Sequence, residues 1–136
     1  VVRTLNQMGA YSPEAVKAIM MIVAHESVKG QYLAQCNNGP ALGVIQMEIP
    51  TYNTVWEHGD NTRKYAAKID QQRDFYSLEW DLRHNIFMAR ARLMMDSNPI
   101  PKENFELSRY LKQFWNTEHG KAKPLDYVMA YDDWRS

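Results

Sequence analysis

Glu26 is the residue in this sequence whose type and position most clearly suggest chemistry. Ile19, Val23 and Glu26 fall at positions i, i+4 and i+7, which is the spacing of one helix face. A carboxyl group on such a face loses hydration, and lost hydration raises the pKa of a carboxylic acid. A Glu that keeps its proton near neutral pH is suited to general acid catalysis. The alternative is a Glu in the last helical turn that bends out to solvent, because helix ends fray.

A second candidate lies downstream, between Gly39 and Thr51. Gly39 and Gly43 flank an apolar stretch, and small residues let the backbone approach a ligand closely. Gln46 follows just before a helix start at Pro50, and its amide offers both a donor and an acceptor. By spacing alone, the same residues also suit a plain turn between two helices.

The elements that must position these residues are mostly helices. Ser12-Pro13-Glu14 combines a capping hydroxyl, a first-turn proline and an early acid, so it predicts a helix start. We expect this helix to end near Val28, with Gly30 just beyond it. Residues 29–47 are predicted as a long loop or short irregular hairpin. Apolar periodicity predicts further helices over about 50–59, 77–95, 104–116 and 124–134, with a turn or two near 65–69. Ser77 would cap the helix over 77–95, with Leu82, Ile86 and Leu93 among its buried positions and Arg90 facing water.

Length and composition exclude several classes of protein. The 136 residues fit a single α-rich domain over 1–136, and sixteen basic residues balance sixteen acidic ones. This neutrality disfavours nucleic acid as a partner. One cysteine, Cys36, excludes an internal disulfide framework, and the histidines have no metal-ligand spacing, so we expect neither a metal nor a cofactor. The apolar run 15–24 is too short for membrane insertion, and no signal peptide is expected in this stretch.

Taken together, the motifs resemble the lytic transglycosylase branch of the lysozyme-like superfamily. Glu26-Ser27 is similar to the catalytic Glu-Ser of that family. The segment Gly43-Val44-Ile45-Gln46-Met47-Glu48-Ile49-Pro50-Thr51 resembles its Gly-Leu-Met-Gln-x-x-Pro-x-Thr block. Asn85-Ile86, Trp115-Asn116 with Gly120, and Asp126-Tyr127-Val128 resemble later family elements. The variant found here is similar to those carried by bacteriophages, and the resemblance covers roughly residues 12–134.

The resemblance implies an all-α, lysozyme-like fold and a chemistry carried by one Glu. Glu26 would protonate the glycosidic oxygen between N-acetylmuramic acid and N-acetylglucosamine. It would then act as a base while the C6 hydroxyl of the sugar closes a 1,6-anhydro ring. The implied partner is the peptidoglycan glycan strand, and no cofactor is implied.

Further site residues follow from the resemblance. Ser27 would orient Glu26 or the substrate, while Gln46 and the backbone of Gly43, Val44 and Ile45 would bind N-acetyl groups. Substrate contacts are also expected from the following residues: Glu48, Tyr52, Trp115, Asn116 and Tyr127. The Tyr52 ring would stack on a sugar, and its other interpretation is an ordinary core aromatic. Trp115 stands where the family has a Tyr that touches the catalytic Glu, and Tyr127 is one hydroxyl that could substitute.

Two alternatives stay open at this level. A hydrolytic muramidase would need a second acid, for which Glu48 is the sharpest candidate. The other interpretation of Glu48 is a carboxylate that interacts favourably with the positive end of the dipole of the helix that begins at Pro50. A catalytically silent structural or glycan-binding domain of a phage particle is the second alternative. The expected setting is a phage virion or host cell, acting on the bacterial cell wall, as part of a particle or a larger protein.

Overall fold

The computed structural model describes the backbone of residues 1–36 and 41–115 and the side chains of residues 1–26 and 41–115. This part of the chain is helical, and it forms no β-strand beyond one isolated bridge. Its six α-helices are α1 (Val2–Met8), α2 (Pro13–Cys36), α3 (Ile49–His58), α4 (Thr62–Lys68), α5 (Leu82–Leu93) and α6 (Asn104–Phe114), and a 3-10 helix spans Phe75–Glu79. The predicted all-α class is therefore confirmed.

Helix α5 lies at the centre of the domain. It contacts α1, α2, α3, α4 and the 3-10 helix, and every residue from His84 to Ala89 is buried. Burial on all sides explains why α5 lacks a clear polar face. The predicted buried positions Ile86 and Leu93 are confirmed, whereas Leu82 is 57% exposed because it is the first residue of the helix.

Helix α2 begins as predicted but ends later. The Ser12 hydroxyl accepts a hydrogen bond from the Ala15 amide at 3.0 Å, which caps the helix. The helix does not end near Val28; it continues through Gly30 to Cys36. A glycine inside a helix costs only about 1 kcal/mol relative to alanine, and the following residues are good helix formers. The prediction of a loop from residue 29 was therefore wrong for 29–36.

The start of α5 also differs from the prediction. Ser77 lies inside the 3-10 helix, and the residue that caps α5 is Asp81. The Asp81 carboxylate accepts a hydrogen bond from the His84 amide at 3.2 Å. The reason is that Asp81 has extended backbone angles, which an N-cap requires, whereas Ser77 continues a helical turn.

The remaining elements largely follow the sequence pattern. Helices α3, α4 and α6 lie close to the predicted ranges, and α1 had not been predicted. The predicted helix over 124–134 lies outside the described residues. None of the described helices combines the length and the apolar character needed to cross a membrane.

Candidate functional site

Glu26 is buried in the interior of α2. Its exposed fraction is 7%, and Ile19 and Ile22 on the same helix are fully buried. The predicted inward orientation is thus confirmed, and the solvent-facing alternative is excluded. Because α2 continues to Cys36, Glu26 is not in a fraying last turn. Helical backbone therefore continues on both sides of Glu26.

His25 lies beside Glu26, a neighbour that the sequence analysis did not identify. Its Nε2 is 3.9 Å from Glu26 Oε1, and His25 is itself only 7% exposed. Consecutive helix residues point in directions about 100° apart, so the pattern gave no reason to expect this contact. A protonated His25 would favour the ionised form of Glu26, whereas a neutral imidazole would not.

Three of the predicted site residues cannot be placed as side chains. Ser27 follows Glu26 within α2, but its side chain lies outside the described residues. Asn116 and Tyr127 lie outside the described residues altogether. The role that the resemblance implies for each of them stays a prediction.

The predicted irregular hairpin is present at residues 42–47. The backbone amides of Leu42 and Met47 donate to each other's carbonyls at 3.0 and 3.1 Å. Gly43 has φ +81° and Gln46 has φ +47°, so both lie in the left-handed region. Glycine adopts this region at little cost, which explains its use at the first of the two positions.

Gln46 stabilises this hairpin with its side chain. Its Nε2 donates to the Gly43 carbonyl at 2.9 Å, and its backbone amide donates to the same oxygen at 3.1 Å. The amide group therefore closes the turn, while the side-chain oxygen remains an acceptor that the turn does not use. A sugar N–H is the kind of donor that such an oxygen can accept from.

The hairpin is seated against the 3-10 helix and the first turn of α5. A Cβ atom on Gly43 would overlap Asn85 Oδ1 and lie 2.6 Å from the Leu78 carbonyl. Asn85 in turn donates from Nδ2 to the carbonyls of Leu78 and Asp81, at 2.9 and 2.8 Å. This close approach fixes the position of the turn relative to the central helix.

The hairpin and α2 contribute to one hydrophobic core. Ile45 is fully buried and Met47 is 2% exposed, and both belong to the cluster that contains Ile19 and Ile22 of α2. Ile45 therefore serves as an anchor, and only its backbone can contact a ligand. Val44 is partly buried against the same core.

Glu48 is exposed and occupies the N-cap position of α3. Its side chain makes no capping hydrogen bond. It also forms no ion pair with any side chain in the described ranges. The carboxylate stands at the positive end of the α3 dipole, as one of its two interpretations expects.

Tyr52 lies in the core and not on a binding surface. It is 1% exposed, and its hydroxyl accepts from the Asp74 amide at 2.7 Å and bonds His84 Nε2 at 2.8 Å. The expectation that Tyr52 stacks on a sugar ring is corrected by this placement, because neither face of the ring is accessible. Helix α3 turns this position inward, and burial raises the pKa of the phenol.

The hydroxyl network extends from Tyr52 to a buried histidine. His84 Nδ1 bonds Gln71 Oε1 at 2.8 Å. Since that oxygen can only accept, the proton is on Nδ1, and Nε2 accepts from the Tyr52 hydroxyl. Burial lowers the pKa of His84, which matches a neutral imidazole.

Trp115 caps the C-terminal end of α6 and packs partly buried against the core. The Arg92 guanidinium lies over its ring at 5.2 Å from the centroid and over the Phe114 ring at 5.7 Å. The indole is therefore held by a cation–π contact from α5. Whether its other face borders a substrate cleft stays a prediction.

Comparison with known proteins found no match. No protein-family model, no curated protein and no solved structure is significantly similar to this chain. The family resemblance thus rests on the sequence motifs alone. Among the described side chains, no group of three His, Cys, Asp or Glu residues could hold a metal ion.

Proposed function

We propose that this domain cleaves the β-1,4 bond between N-acetylmuramic acid and N-acetylglucosamine in peptidoglycan, with Glu26 as acid and base. The observation that carries this proposal is the burial of Glu26 in the middle of α2, at 7% exposure. Burial disfavours the charged form of a carboxyl group, which suits a group that must donate a proton. The phage-like motifs favour a virion or a lysis-stage setting at the bacterial cell wall.

The proposed reaction needs one carboxyl group. Glu26 gives its proton to the glycosidic oxygen while the bond from that oxygen to C1 of the muramic acid breaks. The resulting carboxylate accepts the proton of the C6 hydroxyl as that oxygen bonds to C1. A 1,6-anhydro ring forms, Glu26 regains its proton, and no water is consumed.

The environment of Glu48 supports this single-carboxylate reaction over hydrolysis. A retaining or inverting hydrolase holds its second carboxylate at a defined separation from the first. Glu48 is exposed and has no hydrogen-bond or ion-pair partner among the described residues to fix its carboxylate. Glu57, another downstream acid, is paired with Arg73 at 3.2 Å.

The test of Glu26 is the variant Glu26→Gln, measured with purified cell walls. General acid–base groups contribute about 10²–10⁴-fold, so turnover should fall by at least roughly 100-fold while chitooligosaccharide binding survives. Glu79→Gln is the matched control, because Glu79 is exposed and its side chain makes no hydrogen bond or ion pair with the described residues. A Glu26→Gln protein that clears walls at the wild-type rate would exclude Glu26 as the acid. Binding without turnover by the wild type would indicate a silent glycan-binding domain.

The product distinguishes the two reactions. We expect soluble muropeptides with a 1,6-anhydro end, which weigh one water less than products with a reducing end. Glu48→Gln should leave this mass unchanged and should not abolish turnover. Reducing-end products whose formation stops in Glu48→Gln would instead support a two-carboxylate muramidase.

A further inference from the structure

A cavity of about 710 Å³ lies at the other end of α2, where the helix begins. Its wall comes from the α1–α2 junction, from α4, and from the end of α5 with the segment that follows it. This volume is within the range of small-molecule sites, which is about 300–1,000 Å³. Glu26 does not line this cavity, so it is separate from the proposed glycan-cleaving site.

Arg90 is the most informative residue in the wall. It was expected to face water, but it is half-buried, and its Nε donates to the Ala10 carbonyl at 2.9 Å. Within the described residues this is its one hydrogen bond, and no carboxylate forms an ion pair with it. The two terminal nitrogens of a guanidinium carry four N–H donors, so most of its donor capacity is unused.

Partial burial removes some of the hydration of the Arg90 guanidinium. Burial lowers the pKa of Arg90, and only the phenols of Tyr110 and Tyr65 oppose this effect. The buried Tyr110 hydroxyl also has no hydrogen-bond partner among the described residues. Buried charges in proteins are normally paired, and a planar guanidinium matches a carboxylate or phosphate with two parallel hydrogen bonds.

The acids in the wall do not neutralise Arg90. Asp96 accepts hydrogen bonds from the Asn98 amide and side chain, at 3.1 and 3.0 Å. Glu14 lies 3.9 Å from the ammonium of Lys102. Among the described residues, Arg90 is therefore a cation in this wall that has no acidic partner.

The rest of the wall is suited to a hydroxylated molecule. Several polar side chains face the cavity, namely Ser12, Asn61, Tyr65, Ser97 and Asn98. Asn61 and Ser97 make no side-chain hydrogen bond with the described residues, so their donors and acceptors are available. The N-terminus of α2, which also contributes to the wall, favours negative charge.

We infer that this cavity is a binding site for a small hydroxylated organic acid or phosphate ester, whose oxyanion is held by Arg90. The site is independent of the proposed cleavage reaction. A carboxylate and a phosphate can both accept two parallel hydrogen bonds from a guanidinium. The test therefore measures an organic acid and a phosphate ester separately.

The test is calorimetric titration of the whole chain with gluconate, with glucose 6-phosphate and with glucose, at constant ionic strength. We expect saturable one-site binding of at least one of the two anions and none of glucose. Binding of gluconate alone assigns the site to carboxylates, and binding of glucose 6-phosphate alone assigns it to phosphate esters. No binding of either anion, or equal binding of glucose, would overturn the inference.

Two variants locate the ligand. A charge-assisted hydrogen bond contributes about 1.5–3 kcal/mol, so Arg90→Gln should weaken anion binding roughly 10- to 100-fold. Arg3→Gln is the matched control on an exposed arginine outside the cavity and should bind as the wild type. If Arg90→Gln does not fold, Ser97→Trp fills the cavity from its exposed rim and should abolish binding. Wild-type affinity in a folded Arg90→Gln or in Ser97→Trp would refute the site.

Discussion

Replacing Gly43 by alanine tests how the hairpin is seated on the domain. Gly43 has φ +81°, a conformation that costs an L-residue roughly 1–2 kcal/mol. The new methyl group would also overlap Asn85 Oδ1 and lie 2.6 Å from the Leu78 carbonyl. Asn85 cannot swing away freely, because its Nδ2 is bonded to two carbonyls. Overpacking of this kind costs about 1–3 kcal/mol more.

Gly9 provides a matched control for the backbone contribution. Its φ is +75°, nearly that of Gly43, but a Cβ there would meet only the Lys68 ammonium, at 3.3 Å. That atom ends a flexible side chain and can move. Alanine also lowers the entropy of the unfolded chain, which offsets about 0.4–1 kcal/mol in both variants. Gly9→Ala should therefore cost roughly 0–1.5 kcal/mol and Gly43→Ala roughly 1–4.5 kcal/mol.

The measurement is urea unfolding of both variants, followed by far-UV circular dichroism. With a slope of about 2 kcal/mol/M, an extra 1–3 kcal/mol lowers the midpoint of Gly43→Ala by about 0.5–1.5 M relative to Gly9→Ala. Equal midpoints would refute the reasoning, since they would mean that the hairpin does not press against Asn85 and Leu78. The midpoints can be compared only if the dependence of the unfolding free energy on urea concentration is the same in both variants.

Two further predictions concern the buried network around His84. Burial lowers the pKa of His84 below 6.5, so the unfolded state binds its proton first and the free energy of unfolding should fall as pH drops below about 6.5. His84→Gln should remove this contribution, which is at most about 1.4 kcal/mol per pH unit. The measurement is the free energy of unfolding by urea between pH 8 and pH 5. If the dependence of that free energy on pH is the same in His84→Gln and the wild type, the prediction is contradicted. Tyr52→Phe leaves the Asp74 amide and His84 Nε2 without their hydroxyl partner. The free energy of unfolding measured in urea should therefore fall by about 1–3 kcal/mol. An unchanged midpoint would show that these hydrogen bonds do not stabilise the fold.

The helix starts that the sequence located correctly are set by local chemistry. Ser12 accepts from Ala15 three residues later, and Pro50 lies in the first turn of α3. Such signals involve only neighbours along the chain, so no tertiary contact is needed to interpret them. The predicted end of α2 near Val28 is wrong because Gly30 does not terminate the helix. A glycine disfavours a helix by only about 1 kcal/mol, an amount that flanking residues can offset.

The contacts that sequence reasoning missed connect residues far apart in the chain. The Tyr52 hydroxyl and His84 Nε2 are 32 positions apart, and the bond from Arg90 to the Ala10 carbonyl spans 80. The local sequence pattern does not distinguish a tyrosine that stacks on a ligand from one whose hydroxyl forms a hydrogen bond with a buried histidine. The same holds for Arg90, whose position on α5 was expected to face water. Only the packing of several helices around α5 decides these cases.

The length of α2 explains how the domain keeps Glu26 buried. Had the helix ended near Val28, the carboxyl would sit in the last turn, where the negative end of the dipole and fraying both favour its movement to solvent. Continuation to Cys36 removes that freedom, because the backbone on both sides of Glu26 is fixed by helical hydrogen bonds. Ile22 and His25, which precede Glu26 on the helix, are buried as well. A general acid needs this immobility as much as it needs desolvation, since proton transfer requires the carboxyl within hydrogen-bond reach of the glycosidic oxygen.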